Sequence, residues 1–219
     1  MPGMPDPVIL IVSLSLLALA PFFAVMMTSF AKIVVVLSLV RNALGLQQVP
    51  PNLVMNGLAL VLTLFIMAPV GHQLARISAR NLEGGGSHMR PRVLFSILSD
   101  ARGPLKKFLS KHAQPEEREF FLKAAQKIWP ARDAKLLNSK DLLVLVPAFT
   151  VSELIAAFKI GVLLYLAFVV IDLVVANVLV ALGMVMFSPT VVSIPLKLLL
   201  FVMLDGWGKL LHGLILTYR

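Results

Sequence analysis

The chain has 219 residues and a formal charge of +9, with 58% hydrophobic and only 14% charged residues, and its mean hydropathy is +0.90. A soluble domain carries roughly 45–50% apolar and about 25% charged residues, so one soluble globule of this size cannot hide so much apolar surface from water. Disorder, collagen and coiled coil are excluded on the same figures, leaving a membrane protein or one whose faces are buried in a large assembly.

Residues Met1 to Pro7 contain Asp6, and no Lys or Arg precedes Lys32. A secretory signal needs a positive region ahead of its apolar stretch, so Val8 to Ala31 is expected to stay in the mature protein. The first apolar segment runs from Val8 to about Phe30 with an interruption at Pro21. Lys32 to Arg41 follows, apolar but bracketed by two cations, then a break at Pro50-Pro51 and a second run from Leu53 to Val70. Each long run approaches the ~20 residues that carry an α-helix across a bilayer core. Neither shows strand-like alternation, so residues 1–70 read as N-terminal apolar helices.

From Gly71 to Asp141 the character changes, and this stretch holds 14 of the 20 Lys and Arg and 7 of the 11 acidic residues. Basic groups mixed with carboxylates beside membrane segments point to anionic headgroups or an acidic partner surface, not to nucleic acid. Glu83 to Ser87, with its glycine run, is a flexible break. Val93, Leu94, Ile97, Leu98, Ala101, Leu105, Phe108 and Leu109 recur at helical spacing, and Gly103-Pro104 is expected to split that helix. Pro115 followed by Glu116 and Glu117 suits a helix start, with Phe120, Phe121, Ala124 and Ile128 as its apolar face. Residues 71–141 therefore read as a small, polar, all-helical insert.

Leu142 to Leu204 is a second hydrophobic tract, too long for one span, with expected breaks at Pro147, Gly183, Pro189 and Pro195. Residues 142–219 read as apolar helical hairpins ending in an amphipathic tail. The cations Lys32 and Arg41 argue for a cytoplasmic first connection, which leaves the long basic insert on the outside; inserts longer than about 60 residues escape the positive-inside rule.

Catalytic constellations are missing from the sequence. Gly206-Trp207-Gly208-Lys209 lacks the spacing and the Ser/Thr of a phosphate loop. His72, His88, His112 and His212 are isolated, with no pair at i, i+4, so no metal site is expected. Zero cysteines removes disulfides and thiolate chemistry. Asp172 and Asp205 lie in apolar surroundings, as an intramembrane aspartyl protease requires, but without the glycine-rich frame that brings two carboxylates together. No enzyme and no cofactor is expected.

Six ionisable residues inside apolar runs carry the information: Lys32, Glu153, Lys159, Asp172, Lys197 and Asp205. Each costs at least about 2.5–3.5 kcal/mol at a bilayer centre, so each needs a partner, water or a location away from lipid. One reading is an ion path, with Asp172 and Lys197 as the coupling groups of a secondary transporter or channel subunit. The other, which mixed signs and irregular spacing favour, is pairing between helices of neighbouring subunits. The Gly- and Pro-bounded stretch Gly183 to Pro189 holds Met184 and Met186, either ordinary core methionines or adaptable side chains projecting into a pore.

Several strings resemble the FliP/SctR family of export-gate proteins of bacterial flagella and type III secretion injectisomes. They are Thr28–Asn52 (TSFAKIVVVLSLVRNALGLQQVPPN), Pro147–Leu154 (PAFTVSEL), Ile171–Val175 (IDLVV), Pro195–Lys197 (PLK) and Asp205–Trp207 (DGW). The resemblance implies an all-α fold assembled as a five-subunit ring with the small Q/S-type and R/T-type export proteins, in the bacterial inner membrane and lifted largely towards the periplasm, where the insert would lie. Unfolded proteins would thread through it. The family's methionine gasket falls on Met184, Val185 and Met186, with Val185 in the middle place where relatives carry a third methionine. Ala167 stands where relatives often have proline. The C-terminal HGLILTYR and the lack of a cleavable signal are closer to injectisome than to flagellar members.

Overall fold

The computed structural model describes the backbone of residues 7–83 and 91–219, and every regular element among them is a helix. In chain order these are α1 (Pro7–Met26), α2 (Phe30–Ala43), α3 (Asn52–Glu83), α4 (Pro91–His112), α5 (Pro115–Ile128), α6 (Ala131–Ala134), α7 (Leu142–Ala181), α8 (Pro189–Met203) and α9 (Gly206–Leu216). The expected glycine break from Glu83 to Ser87 falls almost wholly outside the described residues, as do His88 and the side chains of Val93 to Ala101.

Helix α7 is the axis. Its 40 residues extend roughly 60 Å at 1.5 Å per residue, about twice the hydrocarbon thickness of a bilayer. Among the described residues, 52–77 and 142–181 are long and apolar enough to cross a membrane, and α8 with α9, bent by 62°, makes a third such element if counted as one span.

Four prolines expected to interrupt helices do not. Pro21, Pro104, Pro147 and Pro195 all lie inside α1, α4, α7 and α8. A proline removes one backbone hydrogen bond and crowds the carbonyl four residues earlier, which kinks a helix without ending it. Where packing holds the flanking turns, the helix continues: Leu145 and Ala148 are buried on either side of Pro147, and Ser193 and Lys197 on either side of Pro195. Phe108 and Leu109, buried in the turn after Pro104, do the same for α4. Three of the breaks fall at left-handed residues: the expected Gly183 (φ +76°), and Gly45 (φ +79°) and Asp205 (φ +50°).

Two apolar clusters form the core. In one, Ile33, Val36, Leu37 and Val40 of α2 meet Ala157 and Phe168 of α7, Phe201 of α8 and Leu214 of α9. The most extensive helix–helix contact is α2 on α7, and it closes over Gly161, where any side chain would overlap Leu39. The second cluster docks the polar helices: Phe108, Leu109 and Ala113 pack on Leu145, Ala148 and Phe149 of α7. Helix α5 begins at Pro115 with Glu116 and Glu117 in its first turn, as the sequence predicts. Its expected apolar face is corrected, because Phe120 and Ile128 are exposed while Ala125 is buried and Phe121 reaches the core. The Gln114 N–H donates to Ser152 Oγ at 2.9 Å, which pins the start of α5 to α7.

Candidate functional site

The turn between α7 and α8 follows directly from local chemistry. Gly183 takes the left-handed conformation that a helix end favours in glycine. Around it the Met184 N–H donates to Leu179 O and the Gly183 N–H to Val180 O, the paired bonds that close a helix C-terminus. Pro189 then opens α8 at a position where its missing N–H costs nothing. From Leu182 to Phe187 the side chains are apolar and face outward: Leu182 is 69% exposed and Val185 76%, Met186 is fully exposed, and Met184 and Phe187 are nearly half so. No charged residue lies between Leu182 and Ser188.

Four of the six ionisable residues singled out above pair within one chain. Lys32 Nζ lies 3.2 Å from Glu153 Oε1, with both side chains buried. Tyr218 joins them: its hydroxyl donates to Glu153 Oε2, and its ring sits 3.7 Å below Lys32 Nζ in a cation–π contact. Phe108 stacks on the same ring at 6.2 Å, and His112 meets its edge at 5.1 Å. Farther along α7, Lys197 Nζ pairs with Asp172 Oδ2 at 2.5 Å and donates to the Ala43 carbonyl at 3.2 Å. That carbonyl ends the last turn of α2, where Val40, Arg41 and Asn42 accept from Leu44, Leu46 and Gly45, and it lies at the negative end of the helix dipole.

Lys159 and Asp205 are exposed. Asp205 is the left-handed hinge between α8 and α9, with its carboxylate folded back so close to Gly208 that a Cβ there would meet it at 2.5 Å. His72 and His212 are exposed, and no group of three His, Asp or Glu gathers as a metal site among the described residues. His112 is half-buried among Phe108 and Tyr218, and its pKa is pushed down to about 4, first by desolvation and then by the nearby cations Lys111 and Lys32.

The model of the FliP family matches residues 13–214. The chain belongs to the FliP family. It is similar to the Pathogenicity-related ORF2 of Xanthomonas campestris pv. glycines, at 54% identity with 96% of each chain covered. The Hypersensitivity response secretion protein HrcR of Ralstonia nicotianae is 51% identical over 96% of each chain. The Yop proteins translocation protein R of Yersinia pestis is 48% identical over 98% of each.

In this FliP-family chain the sequence reading missed Tyr218, His112 and the Ala43 carbonyl. A usable signal exists for the first. Val185 sits at the apex of the tract, and Asp172 and Lys197 lie 13 and 12 residues from it, Glu153 and Tyr218 32 and 33. An antiparallel hairpin folded about that apex brings both pairs together.

Proposed function

We propose that this chain is a core subunit of the type III secretion export apparatus, of the injectisome kind, and that its α7–α8 turn forms the apolar gate of the entrance channel. In this reading copies of the chain assemble as a five-subunit ring, joined by the Q/S-type and R/T-type export proteins, in the bacterial inner membrane with much of the assembly on the periplasmic side. Met184, Val185 and Met186 converge on the axis. An apolar ring excludes ions by dewetting, and flexible Met side chains yield to an extended polypeptide and refill the gap behind it. The energy for transport comes from other components.

One observation carries the reading: an uncharged, outward-facing apolar turn at the tip of a long hairpin, in a chain that matches secretion and translocation proteins along nearly its whole length. Exposed apolar side chains at such a tip require something to face, and copies of the same turn around an axis provide it. No observation favours the ion-coupled transporter, and Asp172 and Lys197 are committed to each other.

The test is the resting conductance of assembled rings in a planar bilayer. Met184→Gly combined with Met186→Gly is expected to make closed rings leak ions, with native mass spectrometry showing the ring intact. Unchanged conductance in intact rings removes the gate assignment.

A further inference from the structure

The two polar ties do more than neutralise charge. Lys32 stands in the first turn of α2 and Ala43 is its last residue, so one tie is made at each end of this helix. The pairs Lys32–Glu153 and Leu39–Gly161 advance together along both helices, so α2 runs parallel to α7 beside its middle portion. On the returning arm of the hairpin, α8 runs antiparallel to α7 with Lys197 opposite Asp172, and α9, bent by 62° from α8, brings Tyr218 back to Glu153. Both cross-hairpin pairs are centred on Val185. Each tie joins the same three parts: α2, α7 and the returning arm.

We propose that α2 is a splint that sets the register of the hairpin carrying the α7–α8 turn, and that Tyr218, next to last in the chain, is the latch that closes the hairpin at its base. Sliding α8–α9 against α7 by one residue takes the buried Lys197 ammonium away from Asp172 and the Tyr218 hydroxyl away from Glu153, while Glu153 keeps Lys32; the unpaired buried ammonium makes the register discrete. The apex position follows from the register of the nearer tie, since residues 172–181 of α7 and 189–197 of α8 are helical between the Asp172–Lys197 pair and the turn. The latch also involves the polar helices through Phe108 and His112 on the Tyr218 ring, so the base of the hairpin is held by α4 as well. Arg219 is exposed and takes no part. This proposal rests on the reading of the α7–α8 turn as a gate.

The experiment uses the full chain assembled with its export partners, comparing Tyr218→Phe, deletion of Arg219, Asp172→Asn and the Met184→Gly/Met186→Gly pair. Two quantities are read: hydrogen exchange of α9 amides and resting conductance. Tyr218→Phe keeps the ring stack and removes only the hydroxyl. It is expected to speed exchange in α9 about tenfold and raise resting conductance several-fold, while deletion of Arg219 changes neither. The methionine pair is expected to leak with α9 exchange unchanged. Wild-type exchange in Tyr218→Phe overturns the latch. Fast exchange with tight rings, where the methionine pair leaks, overturns the splint as the device that places the gate. Tight rings in the methionine pair overturn the gate reading instead, and α9 exchange in Tyr218→Phe then decides the latch by itself. Where Tyr218→Phe does not assemble, Asp172→Asn decides through the other tie, on a side chain that is 39% exposed: leakage supports the splint and a closed ring overturns it.

Discussion

The base and the tip of the α7 hairpin are made of opposite materials. At the base, Lys32, Glu153 and Tyr218 form a buried polar cluster roofed by aromatic rings, and each charged group has a partner. At the tip, Leu182 to Phe187 is apolar, outward and free of charge. An isolated soluble protein would reverse this, placing oily side chains inside and ions outside. The inversion teaches that specificity and contact have been separated: directional polar bonds fix where the hairpin sits, and non-directional apolar surface is kept for whatever meets the tip.

The sharpest way to break the base is Glu153→Ala. It leaves the Lys32 ammonium buried without its carboxylate, a change worth about 3–5 kcal/mol when one partner of a buried pair is removed. Loss of the folded monomer in thermal melts, or of ring assembly, is the expected result, and the double change Lys32→Met with Glu153→Leu is expected to recover much of it. A melting temperature unaffected by Glu153→Ala contradicts the burial described. Gly161→Leu attacks the same contact without touching a charge. Its side chain overlaps Leu39, and overpacking of a core costs about 1–3 kcal/mol, so α2 is expected to part from α7 near its middle, seen as faster exchange of the α2 amides.

Acid titration probes the base more gently. The folded protein holds His112 to a pKa of about 4 against its ordinary 6.5, so the unfolded chain takes the proton first as pH falls. The stabilisation is fully present above pH 6.5 and is lost as pH drops towards about 4. His112→Gln is expected to flatten the dependence of melting temperature on pH across that window; an unchanged slope places its origin elsewhere. The smallest effect is expected at Lys159, exposed on α7, where Lys159→Ala is expected to shift stability by no more than about 0.5 kcal/mol. A larger loss in assembled rings than in the monomer marks it as a contact between chains.

Helices and apolar segments were legible because hydropathy is a local property: runs of Val, Leu and Ile decide them without knowledge of the fold. The ends of helices were less so. Prolines look like stops in a sequence, yet Pro104, Pro147 and Pro195 are carried through by buried residues in the adjoining turns, and burial is not written locally. The six charges in apolar runs were visible as anomalies, because ionic residues there require an explanation. The Lys32–Glu153 partnership was not, since the two are 121 residues apart and nothing between them encodes the pairing. Phe120 and Ile128 misled for a related reason. Helical spacing shows which residues share a face, and the docking of α5 on α7, with Gln114 tied to Ser152 and Phe121 packed on the second cluster, decides which face turns inward.

The length of α7 has a mechanical consequence. A rod of roughly 60 Å, gripped from its start to its middle by α4, α5 and α2, is a lever whose far end carries the exposed methionines. About two degrees of tilt at the grip moves the end, about 30 Å beyond it, by about 1 Å. Rotations too slight to disturb any packing at the fulcrum therefore become, at the other end, the difference between side chains that touch and side chains that do not.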